Sequence, residues 1–82
     1  MVNEINTTKV VKSDFQKGYE MLLPRDQREL RLKMMFECGW LTASTFYNKR
    51  KGVQPILKPE IPIIESIFSE YNLDPWTGEN LT

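Results

Sequence analysis

The sequence contains no histidine and only one cysteine, Cys38, and these two shortages exclude several classes of site. A disulfide within the chain needs two cysteines, a Cys/His zinc site needs several ligands, and an imidazole base needs a histidine. There is also no Gly-rich phosphate loop and no pair of carboxylates at a spacing typical of a metal site. We therefore expect no enzyme activity, no cofactor and no bound metal.

Long hydrophobic runs are missing as well. No apolar stretch approaches the roughly 20 residues of a membrane span, and Met1 to Lys12 is too polar for a signal peptide. We therefore expect a cytoplasmic protein without a membrane partner. With 82 residues the chain is long enough for one domain with a small core.

A net charge of one sign is absent too, since 11 basic residues balance 11 acidic ones. Neutrality argues against nucleic-acid binding, because phosphate neutralisation supplies most non-specific affinity for DNA. The distribution is uneven, however. Residues 13–58 hold nine basic and five acidic residues, residues 59–82 hold five acidic and no basic ones, and residues 1–12 carry +1. The sequence thus predicts a basic body with an acidic C-terminal end.

The pattern of apolar residues predicts an all-α fold, a compact bundle of about four helices with a central helix-turn-helix unit. Residues 1–12 lack helical periodicity and are predicted to form a mobile arm. Residues 13–74 are predicted to form the helical domain, and residues 75–82 a short polar tail.

Capping residues give the expected bounds of the first two helices. Ser13 is a suitable N-cap for the first, which should end near Leu23. Pro24 suits the first turn of the second, and Gly39 suits a left-handed stop after Cys38.

The third and fourth helices are bounded in the same way. Thr42 is the expected N-cap of a short helix that Gly52 closes. Pro59 should open the fourth helix, whose apolar face supplies core, and Asn72 should end it.

Two helices joined by a tight turn containing glycine form the helix-turn-helix unit. The segment LRLKMMFECGWLTASTFYNKRKG, preceded by LPRDQRE, resembles small helix-turn-helix transcriptional regulators of phage-repressor or mobile-element type. The resemblance covers Leu23 to Gly52. It implies a buried Phe46 and a third helix, about 42–51, that enters the major groove of double-stranded DNA. Trp40 and Leu41 make the turn one residue longer than is common in that family.

The resemblance and the chemistry of the side chains together give a predicted DNA interface. Asn48 can pair bidentately with adenine, and cations at helix ends can hold the backbone. The predicted base contacts are Ala43, Ser44, Tyr47 and Asn48. The predicted phosphate contacts are Arg25, Arg28, Lys49, Arg50 and Lys51. A second copy would double the contacts, so we expect a homodimer.

Other interpretations stay open. A Lys-Arg-Lys run is often a solvated helix end, Tyr47 can serve in a core, and Trp40 can close the turn from inside. A different class of function is a protein-binding adaptor or antirepressor that holds a partner protein at the acidic C-terminal end. A continuous basic surface around the third helix would favour DNA, and a surface broken by Glu20 and Glu37 would favour the adaptor.

Overall fold

The computed structural model describes residues 14–82, and within that range it contains four α-helices. They are α1 (Gln16–Glu20), α2 (Pro24–Cys38), α3 (Ala43–Lys51) and α4 (Ile61–Ser69), with a 3-10 turn, Lys58–Glu60, before α4. An isolated β-bridge joins Leu73 and Asn80. The predicted all-α bundle is confirmed. None of the described helices has the length and apolar character needed to cross a membrane.

The predicted bounds of α2 are confirmed, and the residues at its two ends explain them. Leu23 is extended, as a residue before proline prefers, and Pro24 occupies the first turn, where its missing N–H costs nothing. Gly39 ends the helix at φ +73°, a conformation that side chains with a Cβ avoid. Leu30 and Met34 lie one turn apart on the inner face and are fully buried.

The turn and α3 also follow the sequence. Trp40 is buried within the turn, so the prediction that it closes the turn from inside is confirmed. Thr42 caps α3, because its Oγ1 accepts a hydrogen bond from the N–H of Thr45 at 3.4 Å. Gly52 ends the helix at φ +84°.

α1 is shorter than predicted. Its predicted cap, Ser13, lies outside the described residues, and the helix ends at Glu20 and not near Leu23. The chain leaves the helix early because Leu22 turns into the core and Leu23 must be extended before Pro24. The Asp14 carboxylate accepts a hydrogen bond from the N–H of Gln16 at 3.1 Å.

The predicted start of the fourth helix at Pro59 needs a correction, since that proline lies in the 3-10 turn and α4 begins at Ile61. Pro62 explains the change. It has no N–H to donate to the carbonyl of Lys58, so a regular α-helix cannot run through both positions. Asn72 has the predicted left-handed conformation, at φ +60°, but the helix ends at Ser69, and residues 70–72 form turns that lead to it.

The core is centred on the ring of Phe15, which is fully buried. It stacks on Trp40 with ring centroids 6.4 Å apart, and it meets Phe46 and Phe68 edge-on at 5.6 and 5.9 Å. Edge-to-face pairs of this kind each add about 0.5–1.5 kcal/mol beyond their burial. The cluster joins the residue before α1, the turn, α3 and α4, and so fixes α3 on the body.

The predicted C-terminal tail, 75–82, has contacts with the helical body. Pro75 is buried, and its carbonyl accepts a hydrogen bond from the N–H of Gly18 at 3.2 Å. The indole N–H of Trp76 donates to Glu65 on α4 at 2.8 Å. The start of this segment is therefore packed against α1 and α4. The predicted arm, 1–12, lies outside the described residues.

Candidate nucleic-acid interface

α3 has one buried and one exposed face, and the exposed face carries most of the predicted base contacts. Phe46 and Lys49 are buried, one turn apart. The residues on the opposite side, all exposed, are Ala43, Ser44, Tyr47 and Lys51. Ala43 and Ser44 lie in the first turn of the helix, where backbone N–H groups have no partner within the helix. The face therefore offers hydrogen-bond donors at its start and a cation at its end.

Tyr47 and Lys51 form a pair on this face. The Nζ of Lys51 donates to the phenol oxygen of Tyr47 at 3.1 Å, and the ring of Tyr47 is about half exposed. The hydrogen bond from Lys51 and the charges of Lys51 and Arg50 lower the pKa of the phenol. Tyr47 is thus a surface residue and not a core residue. Its hydroxyl donates to no acceptor among residues 14–82, so it can donate to an acceptor outside them.

Asn48 lies at the edge of the exposed face and is half-buried. Its backbone carbonyl is occupied, because it accepts from the N–H groups of Val53 and Gln54 at 2.8 and 3.1 Å. Its side-chain amide has no hydrogen-bond partner among residues 14–82. The amide that was predicted to contact a base is therefore available.

Lys49 was predicted to contact phosphate, and its position in the structure excludes this role. The residue is only 5 % exposed, and its Nζ donates to both carboxylate oxygens of Glu60 at 2.7 and 2.8 Å. The helical period does place Lys49 on the same side as Phe46, but the sequence could not show its pairing with Glu60, which lies 11 residues later. Lys49 is part of the core and not of the surface.

Arg50 was predicted to contact phosphate, and only part of its guanidinium group is available for this role. Its guanidinium carbon lies 4.5 Å from the ring centre of Tyr19 and 4.9 Å from that of Tyr47, so the group is held between two aromatic faces. One guanidinium nitrogen donates to Oε1 of Gln16 at 2.8 Å. Its Nε is buried without a partner among the described residues. Arg50 is thus a positioned cation and not a mobile one.

The two predicted phosphate contacts on α2, Arg25 and Arg28, are exposed and have no ion-pair partner in the described part of the chain. Arg31, three residues further on, continues the same series and is half-buried. The sequence interpretation did not include Arg31. The three-residue spacing of the arginines was the signal that pointed to it.

Two acidic residues of α2 have contacts with α4 or the segment after it, although Glu29 also shares a surface depression with Arg25 and Arg28. Glu29 accepts a hydrogen bond from the hydroxyl of Tyr71 at 2.7 Å, and Lys33 pairs with Glu70 at 2.6 Å. Glu37 lines a groove of about 480 Å³ between α2 and α4, together with Lys33 and Glu70. These contacts place the carboxylates of Glu29 and Glu37 beside α4 and the segment after it.

A second groove, of about 300 Å³, lies between α1, α2 and α3 and has a different character. It is lined by Tyr19, Arg31, Ala43, Ser44, Phe46, Tyr47 and Arg50. No carboxylate is among these residues. Glu20 is linked to this region only through Gln16, which donates to Glu20 at 2.8 Å and accepts from Arg50. The groove is therefore cationic and aromatic.

The chain was also compared with known proteins. No protein-family model matches the sequence, and no curated protein or solved structure shows significant similarity to it.

Proposed function

We propose that this protein binds double-stranded DNA in a sequence-dependent manner and acts as a transcriptional regulator, with α3 in the major groove. The observation that carries the proposal is the exposed face of α3, where Ser44, Tyr47 and Lys51 face away from the core. A helix of this kind, held by a short turn against a preceding helix, is the arrangement that reads base edges in helix-turn-helix proteins.

The distribution of charge supports the same proposal. Arg25 and Arg28 are exposed on α2 and share a surface depression with Asp26 and Glu29, while Glu37 lies on the side of α2 that faces α4. A neutral protein can bind a polyanion when its cations are gathered on one side, since screening limits the reach of distant carboxylates to about 10 Å. Glu37, one of the two acids that would break a basic surface, is thus away from α3.

Within α3 the proposal assigns different roles to different side chains. Asn48 reads a base through its unpaired amide, and Tyr47 contacts a base edge through its hydroxyl. Lys51 contacts phosphate, which adds affinity without sequence information. Two copies bind together, because a single short helix contacts too few base pairs for useful specificity.

The first experiment is a selection of bound sequences from random duplexes with the full chain. An enriched motif is the expected result, and twofold symmetry within it reports the homodimer. Should no duplex be retained, and no salt-dependent binding be detected, the DNA proposal is wrong. The protein would then belong with the adaptors that hold a partner protein.

Single variants then distinguish base reading from backbone contact. Their affinity is measured for the duplex that the selection enriches and for a duplex of scrambled sequence. Asn48→Ala should cost about 1–3 kcal/mol of binding free energy on the selected duplex alone. Lys51→Ala should weaken binding to both duplexes equally and lower the salt slope by about one unit. Gln54→Ala, an exposed amide just beyond α3, is the matched control and should change neither. Equal losses on both duplexes for Asn48→Ala would remove its assignment to base reading.

A further inference from the structure

Two arginines from different helices line the groove between α1, α2 and α3. Arg31 comes from α2 and Arg50 from the last turn of α3, and Ser44 adds a hydroxyl from the first turn of α3. These groups are hydrogen-bond donors, two of them charged. A site built from donors without a carboxylate attracts an anion with several acceptor oxygens.

Arg50 is already fixed in the groove. The rings of Tyr19 and Tyr47 hold its guanidinium from two sides, and Gln16 accepts one of its hydrogen bonds. An arginine has five N–H donors, so most of its donor capacity is unused by the described residues. Because the planar guanidinium group of Arg50 is already held in place, binding a ligand costs little further side-chain entropy.

Arg31 is the second cation of the groove, and it is half-buried without a hydrogen bond or ion pair among residues 14–82. The other half-buried cation of α2, Lys33, is neutralised by Glu70 at 2.6 Å. The guanidinium nitrogens of Arg31 are not among the buried unpaired atoms of the described residues, so they reach solvent and can donate to an anion in the groove.

We propose that this groove binds a phosphate group, held by the guanidinium groups of Arg31 and Arg50 and by the hydroxyl of Ser44. Planar guanidinium forks match the tetrahedral oxygens of phosphate, and they bind it more specifically than an ammonium does. The site lies beside the exposed face of α3. Its phosphate is therefore one of the DNA backbone, an assignment of source that rests on the proposed function.

The first arm of the test uses duplex DNA across a salt series. Arg31→Gln should weaken binding about tenfold on the selected and the scrambled duplex alike and lower the salt slope by about one unit. Lys58→Gln removes the same charge from an exposed position outside the groove and should change affinity by no more than about twofold. Equal effects of the two variants would overturn the site, although the DNA proposal would stand.

The second arm uses inorganic phosphate without DNA, followed by NMR of the full chain. Added phosphate should shift the side-chain N–H signals of Arg31 and Arg50 and the amide of Ser44, and Arg31→Gln should abolish these shifts. Shifts spread over exposed lysines, with none in the groove, would overturn the proposal.

The two arms distinguish failure of the site from failure of the proposed function. Phosphate shifts in the groove without any duplex binding would support the site, with a free phosphate compound as its ligand, and would contradict DNA binding. Arg31→Lys covers the case in which Arg31→Gln does not fold, because it keeps the charge and removes the fork. The loss of duplex affinity in Arg31→Lys should be about half of that in Arg31→Gln on a logarithmic scale. If Arg31→Lys instead has the affinity and the phosphate-induced shifts of the wild type, the guanidinium fork of Arg31 has no role in binding.

Discussion

Lys49 donates hydrogen bonds to both carboxylate oxygens of Glu60, at 2.7 and 2.8 Å, and so ties α3 to the 3-10 turn that precedes α4. The same carboxylate accepts from the indole N–H of Trp40 at 2.9 Å and from the backbone N–H of Leu57 at 2.9 Å. One side chain thus joins the turn between α2 and α3, helix α3 and the approach to α4. The position of α3 on the body depends on this network.

Removing Glu60 should therefore be costly. We expect Glu60→Ala to lower the free energy of unfolding by about 3–5 kcal/mol, because it leaves the Lys49 ammonium buried without a counter-charge. Thermal or urea unfolding of the full chain measures the change.

The double variant Lys49→Met with Glu60→Leu is the control for this prediction. It replaces the ion pair by apolar groups of similar size and should be more stable than Glu60→Ala, since no unpaired charge is left behind. A double variant as unstable as Glu60→Ala would show that the destabilisation comes from lost packing and not from the buried charge.

The same carboxylate makes stability depend on pH. Burial alone would raise the pKa of Glu60, but the hydrogen bonds from Lys49, Trp40 and Leu57 outweigh it and hold the pKa below its ordinary value of 4.5. A group with a lowered folded-state pKa stabilises the fold above its unfolded-state pKa, and this contribution is lost as pH falls through the folded-state pKa.

We therefore expect the difference in unfolding free energy between wild type and Glu60→Gln to be largest near neutral pH and to shrink as the pH falls below about 4.5. Urea unfolding at a series of pH values measures it. A difference that stays constant down to pH 3 would mean that the ionised carboxylate of Glu60 contributes no pH-dependent stability.

We expect a side chain at Gly18 to destabilise the fold, because a Cβ there would lie 2.7 Å from the Cα of Pro75. Gly18→Ala should cost about 1–3 kcal/mol and loosen residues 73–82, seen as faster hydrogen exchange in that segment. Gly39→Ala is the matched control: its Cβ meets nothing within 4 Å, but its φ of +73° should cost about 1–2 kcal/mol. That variant should leave the relative protection of 73–82 unchanged. Unaltered exchange in Gly18→Ala would contradict the contact.

Cys38, at the end of α2, should react slowly with alkylating reagents. Burial raises the pKa of its thiol to about 12, and the charge of Glu60 adds to the effect, so almost no thiolate is present at pH 8. Iodoacetamide should modify the unfolded chain in urea at least about tenfold faster than the folded one. Equal rates in the two states would show that the thiol is exposed and ionises normally.

Local signals in the sequence determined the bounds of α2 and α3. Pro24, Gly39, Thr42 and Gly52 act on their own turns of the backbone, through fixed φ, tolerance of positive φ and a side-chain cap, so their effects do not depend on distant residues. Leu30 and Met34 lie one turn apart on the inner face of α2, as helical periodicity, which is local, requires of a buried pair.

Much of the candidate interface follows from the sequence for the same reason. Once α3 is bounded and Phe46 is placed inward, the period of 3.6 residues puts Ser44, Tyr47 and Lys51 on the outer face. The predicted phosphate contact of Lys49 is wrong for the same reason. A lysine one turn from Phe46 falls on the buried side, and its burial is stable only because Glu60, 11 residues later, meets it there.

Local signals thus account for α2, α3, their caps and the cationic character of the segment that holds them. The pairing of Lys49 with Glu60, the packing of Pro75 on Gly18 and the presence of Arg31 and Arg50 in one groove arise only when the helices pack. The difference lies in the distance along the chain. Capping and periodicity act within one or two turns, whereas these contacts join residues far apart in sequence, and their partners are chosen by how the helices pack around Phe15.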